Sequence, residues 1–305
     1  MAPTWYQLSG VDIASEIALP ATVVSEGTTG ARIAFRLGPA GSSVTPEAWD
    51  HRANGVSLGT GPDGFMLRLP GCAEFWIARD GAEVVGTAIE ACPPATLAQL
   101  FLDQVLPLAL HARGRFSFHG SAVALEGQHL IAFLGNSGAG KSTLASSLAR
   151  GASQLLFSDD CLAVEAAGAE ILAHPSYAST RLWSESADAL FADRGALPPA
   201  SPRTAKLRAT LAVAADPMPL CRLYLLTAAD GAPAITRLSR RDALVALTAH
   251  LYRLDTSDRA RLAGELDLLE KVVSRVPVAR LAYRHSYAEL PAVRAAIVAD
   301  LRQVG

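Results

Sequence analysis

The chain has 305 residues, half of them apolar, with 27 lysines and arginines against 29 aspartates and glutamates. The net charge of −2 leaves no basic footprint for nucleic acid, and the length suits one large domain or two ordinary ones. No apolar run approaches the roughly 18 residues of a membrane span, and no basic stretch followed by an apolar core marks a signal peptide.

Residues 1–94 read as a β-rich N-terminal domain. Strand candidates are 31–37, 65–69, 74–78 and 83–89, the last two joined by the turn residues Asp80 and Gly81. Residues 38–64, rich in glycine, proline and serine, read as loop. Phe75 and Trp76 read as packing residues. Pro93 and Pro94 mark a boundary, and residues 95–305 form the second domain. Leu97, Leu100, Phe101, Val105 and Leu108 recur at helical spacing over 95–112, with Pro107 as a kink and Gly114 beyond the end. Strands follow at 116–125 and 129–134.

The next stretch is the most informative. Gly135, Asn136, Ser137, Gly138, Ala139, Gly140, Lys141, Ser142 and Thr143 fit G-x-x-x-x-G-K-[ST] at every fixed position, between an apolar strand and good helix formers. The glycines let successive N–H groups turn inward around an anion, and the following helix adds its unpaired N–H groups. Lys141 would reach the outer phosphates of ATP or GTP, and the Ser142 hydroxyl suits a ligand of Mg²⁺. Lysine occurs only at 141, 206 and 271, which makes a chance match less economical.

Residues 154–158 read as a returning strand that ends in Asp159 and Asp160, eighteen and nineteen residues after Lys141. Acids at the C-terminal end of such a strand face a ligand. Strand alternation places them on opposite faces, so their tasks differ. One would hold Mg²⁺ or its water, and the other would take the proton of an attacking hydroxyl. Which does which stays open. A hairpin is expected over 161–174, a loop over 175–180, a helix from 184 to 191, and a Pro/Ala/Ser-rich segment over 195–205. Arg203, Lys206 and Arg208 form a small basic cluster that suits either phosphates or solvent. Later come a strand at 220–226, a helix capped by Ser239 and running to about 252, a helix over 257–276, a strand over 277–283 and a closing helix to about 302. Of seven histidines only His119, one strand before the loop strand, has a site role open to it; His250 and the rest read as structural. Cys72, Cys92, Cys161 and Cys221 carry no C-x-x-C, so they read as reduced thiols of a cytoplasmic protein and not as a zinc site.

His119-Gly120, the loop 135–143 and Ser158-Asp159-Asp160, in this order and spacing, resemble the bacterial HPr serine kinase/phosphorylase catalytic domain, whose fold is related to phosphoenolpyruvate carboxykinase. The fold class the resemblance implies is α/β, a P-loop kinase domain with a β-rich N-terminal domain. It implies an ATP-dependent, Mg²⁺-requiring kinase of a serine hydroxyl, with Lys141 on the phosphates, Ser142 and an acid of the pair on Mg²⁺, a member of the Asp159/Asp160 pair as base, and His119 in the site. The resemblance continues more weakly through 181–183 and 235–244, where the chain is similar to HPr kinase-related proteins found beside lasso-peptide genes, which resemble kinases of a precursor's C-terminal serine. The glycine-rich signature that follows the Asp pair in true HPr kinases is absent here, which counts against HPr itself as the acceptor. The expected partner is therefore a peptide or small protein bearing a serine, with no nucleic acid and no membrane, and with a homo-oligomer left open. Two other readings compete: a small-molecule kinase of shikimate or adenylate kinase type, and a transporter or switch ATPase, for which the L-S-G-G-Q-like segment is missing.

Overall fold

The protein, described here from a computed structural model, is a mixed α/β chain. The structure describes all residues except 1, 26–29, 39–45, 52–54, 90–91, 152, 178, 196, 201–203, 255–257 and 304–305, and the side chain of residue 194. Its contacts divide it into two compact units, the first made mainly of Met1–Ser117 and Tyr252–Gly264, the second of Phe118–Ala200, Thr204–Leu251 and Glu265–Gly305. No helix among the described residues is long and apolar enough to cross a membrane.

The first unit holds one eight-stranded sheet. Its strands are β1 (Thr4–Leu8), β2 (Val11–Ser15), β3 (Arg32–Leu37), β4 (Ala48–His51), β5 (Ser57–Gly61), β6 (Gly64–Leu69), β7 (Ala73–Ala78) and β8 (Glu83–Ala88). Their order is β1-β2-β3-β8-β7-β6-β5-β4, and the pairs β2–β3 and β3–β8 run parallel. Two corrections to the sequence reading follow. β1 and β2 escaped it because β2 is buried on both faces and shows no alternation. The expected loop at 38–64 contains β4 and β5, because antiparallel pairing with β6 recruits the glycine-rich Ser57–Gly61 despite its low strand propensity.

The expected helix 95–112 is three pieces: α1 (Pro94–Leu100), a π-helical turn (Phe101–Val105) and α2 (Leu106–Ala112). The wider turn precedes Pro107, whose missing N–H would otherwise break an α-helical ladder. Phe101 at the turn stacks on Phe35 with ring centroids 4.0 Å apart. Cys72 and Cys92 bring their sulfurs to 3.0 Å, and none of the four cysteines is in a disulfide.

The second unit is built on a mixed sheet. β9 (Phe116–Leu125) lies between β10 (His129–Leu134) and β11 (Gln154–Ser158) and pairs antiparallel with both. β12 (Cys161–Ala167) continues beside β9 after β11 stops, and β13 (Glu170–His174) returns along β12. On the other side, β10 pairs parallel with β16 (Met218–Ala228), which pairs parallel with β18 (Val278–Tyr283); β17 (Ala234–Arg237) closes the edge. A ribbon of β14 (Ser179–Leu182) and β15 (Leu207–Thr210) stands apart. The helices are α3 (Lys141–Ala149), α4 (Ser184–Phe191), α5 (Arg240–Thr248), α6 (Arg259–Arg275) and α7 (Leu290–Arg302). α5 stops at Thr248, short of the expected end near 252, because the chain turns there to bring His250 beside β9.

Apolar side chains of β9, β10, β11, α3, α4 and α7, among them Val123, Phe133, Leu144, Leu156 and Ile297, form one buried cluster that fixes α3 against the sheet. A buried ion pair crosses this layer. Arg222 on β16, with no exposed surface, lies 3.2 Å from Asp300 on α7, and the Tyr224 hydroxyl donates to the same carboxylate at 2.8 Å.

Candidate active site

β9 brings the two halves of the site to one level. Leu134, the last residue of β10, sits opposite Gly120, while Ser158, the last residue of β11, sits opposite Ala122. Since β10 and β11 both run antiparallel to β9, both release their chain at the same edge. From β10 comes the glycine loop, and from β11 comes the Asp pair.

The loop turns sharply into α3. Gly138 and Gly140 have φ of 82° and 85°, in the left-handed region where side chains are strained. The Lys141 ammonium folds over the loop and donates to the carbonyls of Gly135 and Asn136 at 2.8 and 3.1 Å. Burial lowers its pKa, opposed by the charges of Asp160 and Asp159.

Asp159 is almost fully buried and accepts three side-chain hydrogen bonds. Ser121 and Ser142 donate to Oδ1 at 2.5 and 2.8 Å, and Thr180 donates to Oδ2 at 2.6 Å. Burial pushes this carboxyl above the ordinary carboxylate range, and the neighbouring Asp160 adds to the push, against the three hydroxyls. Asp160 adopts a left-handed backbone with φ of 63°, a conformation aspartate tolerates better than most residues. Its carboxylate forms an ion pair with Arg181 of β14. Burial alone would raise its pKa, but Arg181, with help from His119 and Lys206, holds it below the ordinary value. The two acids thus differ in environment, one on hydroxyls and the other on a guanidinium.

His119 lies near this pair and near Lys141. Burial lowers its pKa and the Lys141 charge lowers it further, so the ring is neutral at pH 7. His250 joins it: its carbonyl accepts from the His119 N–H at 2.7 Å, and its ring pKa is lowered by burial, Lys141 and His119 in turn. The sequence reading gave His250 a structural role only, and no local motif marks it. Ser121 and Thr180 were also missed. For Ser121 a signal existed, since it lies two residues from His119 and shares its strand face.

The basic cluster does not act as a unit. Lys206 sits 5.4 Å above the ring of the exposed Trp183 and adds its charge at Asp160 and Lys141. Arg208 turns to the Ala200 carbonyl at 2.9 Å, and Arg203 lies outside the described residues. No group of three or more His, Cys, Asp or Glu among the described residues could by itself cage a metal. Ser142 and Asp159 offer adjoining oxygens that fit a Mg²⁺ ion, which takes one or two protein ligands and completes its shell with water and phosphate. Asp160, the third expected ligand, is engaged by Arg181.

No protein-family model and no curated protein matches the chain. Among solved structures, the HPr(Ser) kinase/phosphatase from Coxiella burnetii is similar at 12% identity and a TM-score of 0.33, over 62% of this chain and 99% of that one. No shared activity or substrate follows from a likeness at that level.

Proposed function

We propose that the second unit is a kinase that moves the γ-phosphoryl group of ATP to a serine hydroxyl of a peptide or small protein, in the manner of HPr kinases. The observation that carries this reading is the meeting of the phosphate-loop serine with a buried carboxylate, Ser142 to Asp159 at 2.8 Å, beside a second, differently held carboxylate on Asp160. A nucleotide holder with no transfer to perform has no need of the second acid.

In this reading the loop N–H groups and Lys141 bind the polyphosphate, with Lys141 exchanging its two backbone carbonyls for phosphate oxygens. Mg²⁺, when bound, supplies positive charge to the β- and γ-phosphate oxygens. Ser142 and Asp159 would hold it, the positive charge offsetting the burial that raises the Asp159 pKa. Asp160, kept ionised by Arg181, accepts the proton of the acceptor hydroxyl. That oxygen forms the new bond to phosphorus while the bond to the β-phosphate oxygen breaks and ADP leaves. Neutral His119 and the Lys206 ammonium line the transferring end, where Lys206 counters developing charge. Within this class we favour the C-terminal serine of a lasso-type precursor as acceptor, on the sequence likeness at 181–183 and 235–244.

The test uses the full chain, γ-labelled ATP and serine-ended peptides. Mg²⁺-dependent label on the peptide, abolished in Asp159→Asn and in Asp160→Asn, is expected. Transfer that survives the double replacement would sink the mechanism. Hydrolysis indifferent to every acceptor would favour a switch ATPase, and transfer to a metabolite alone would favour a small-molecule kinase.

A further inference from the structure

In the reading proposed above the Asp pair faces the terminal phosphate, which leaves the other end of the nucleotide to be assigned. In the sheet, β11 and its acids lie on one flank of the loop strand β10, and β16 and β18 lie on the other. β18 runs parallel to β16, and β16 to β10, so β18 also ends at the loop edge. The segment leaving it carries three aromatic rings, Tyr283, His285 and Tyr287.

These rings are tied to the loop. The Tyr283 hydroxyl lies 3.1 Å from where a side chain at Gly140 would begin, so the ring packs under the loop's last glycine. Its pKa is pushed up to about 12 by burial, so it stays a neutral hydroxyl. His285 leans on Tyr283 with ring centroids 4.9 Å apart. The Tyr287 hydroxyl is 3.0 Å from Ser186, whose hydroxyl is 3.1 Å from Thr143, the last residue of the loop motif. Tyr287 is 43% exposed, so its ring face is open while its tip is held.

We propose that Tyr287 is the stacking surface for the purine base of the nucleotide. The inference rests on the reading that this unit binds ATP. With the γ-phosphate toward Asp159 and Asp160, the nucleoside would leave the loop at the N-terminal end of α3, where Thr143 and Ser186 hold the Tyr287 hydroxyl. An aromatic face anchored by hydroxyls binds a base through its π-surface and spends little side-chain freedom in doing so.

Titration calorimetry with Mg-ATP and with Mg-tripolyphosphate, a probe without base or ribose, tests this in the full chain. Tyr287→Ala should weaken ATP about tenfold, the worth of a lost base–aromatic stack, and leave tripolyphosphate unchanged. Tyr287→Phe, which keeps the ring, should bind ATP nearly as the parent does. Unchanged ATP affinity in Tyr287→Ala, beside a parent that prefers ATP to tripolyphosphate, would overturn the assignment. Equal weakening of both probes would also overturn it, because Tyr287 would then act only through Ser186 and Thr143. A raised KM for peptide at constant ATP affinity would give the surface to the acceptor instead. A parent that binds neither probe would refute the kinase reading itself.

Discussion

The Ser142 hydroxyl donates to the Asp159 carboxylate across 2.8 Å, although 17 residues of helix, turn and strand separate them along the chain. The contact exists because β10 and β11 stop at nearly the same height on opposite sides of β9. It also leaves Asp159 with a strained choice, since the site suits a cation and the carboxyl alone is too buried to hold its charge easily.

Asp159→Asn should therefore stabilise the protein while ending transfer. The folded-state pKa of Asp159 is raised, so its contribution is fully favourable only below the unfolded value of about 3.9 and is lost as pH rises through the folded value. At pH 7.5 without divalent cation, the variant should melt about 2–4 °C higher, the shift ~1 kcal/mol gives in a chain of this size class. Added Mg²⁺ and ATP should raise the parent's melting temperature and narrow or reverse that gap. Thermal scans with and without Mg-ATP check both halves.

Arg181→Met should do the opposite. Asp160 is held below its ordinary pKa, so its stabilising contribution is present above the unfolded value and is lost as pH falls through the folded one. Without Arg181 the carboxylate loses its guanidinium partner at neutral pH, at a cost of about 3 kcal/mol. Transfer should fall about a hundredfold, with the acidic limb of its pH profile moved to higher pH. Urea unfolding and a pH series of rates measure the two effects separately.

His119 and His250 predict acid sensitivity. Both have folded-state pKa values below the ordinary 6.5, so the folded protein binds fewer protons there than the unfolded chain. Stability then falls as pH drops from about 7 through 6.5 toward the lowered values. The double variant His119→Gln/His250→Gln should lose less melting temperature between pH 7.5 and 5.5 than the parent does. An identical loss in both would remove the histidines from the account.

Far from the site, Asp300→Ala should be among the most damaging surface-helix changes. It removes the carboxylate paired with the fully buried Arg222 and takes an acceptor from Tyr224. Leaving that guanidinium uncompensated costs about 3–5 kcal/mol. Asp300→Leu/Arg222→Met together should recover most of it, as chemical denaturation of the single and double variants would reveal.

How much of this could be read from residues alone follows from where each signal resides. The loop 135–143 and the Asp pair are local patterns that a short window contains, and the helix at 184–191 and the closing helix to about 302 are legible as elements. Gly120 shows the limit. It reads as an ordinary glycine, yet a side chain there would meet Leu134 Cδ2 at 2.4 Å and the Phe133 carbonyl at 2.9 Å, so its smallness is set by the neighbouring strand. Thr180, Arg181 and His250 enter the site through chain crossings that no short window contains. The different surroundings of Asp159 and Asp160, three hydroxyls and one guanidinium, are likewise outside any short window.

β9 is, in effect, the gauge that sets the distance between the glycine loop and the Asp pair. It touches both strands at once, and Ser121 on it reaches Asp159 directly. Lengthening it by one residue would turn every second side chain to the other face and slide one half of the machinery past the other by about 3.4 Å. Sequence drift in this lineage should thus allow insertions freely in the turn at 126–128 and almost never between 118 and 125. Length in that stretch, more than identity, is what selection would guard.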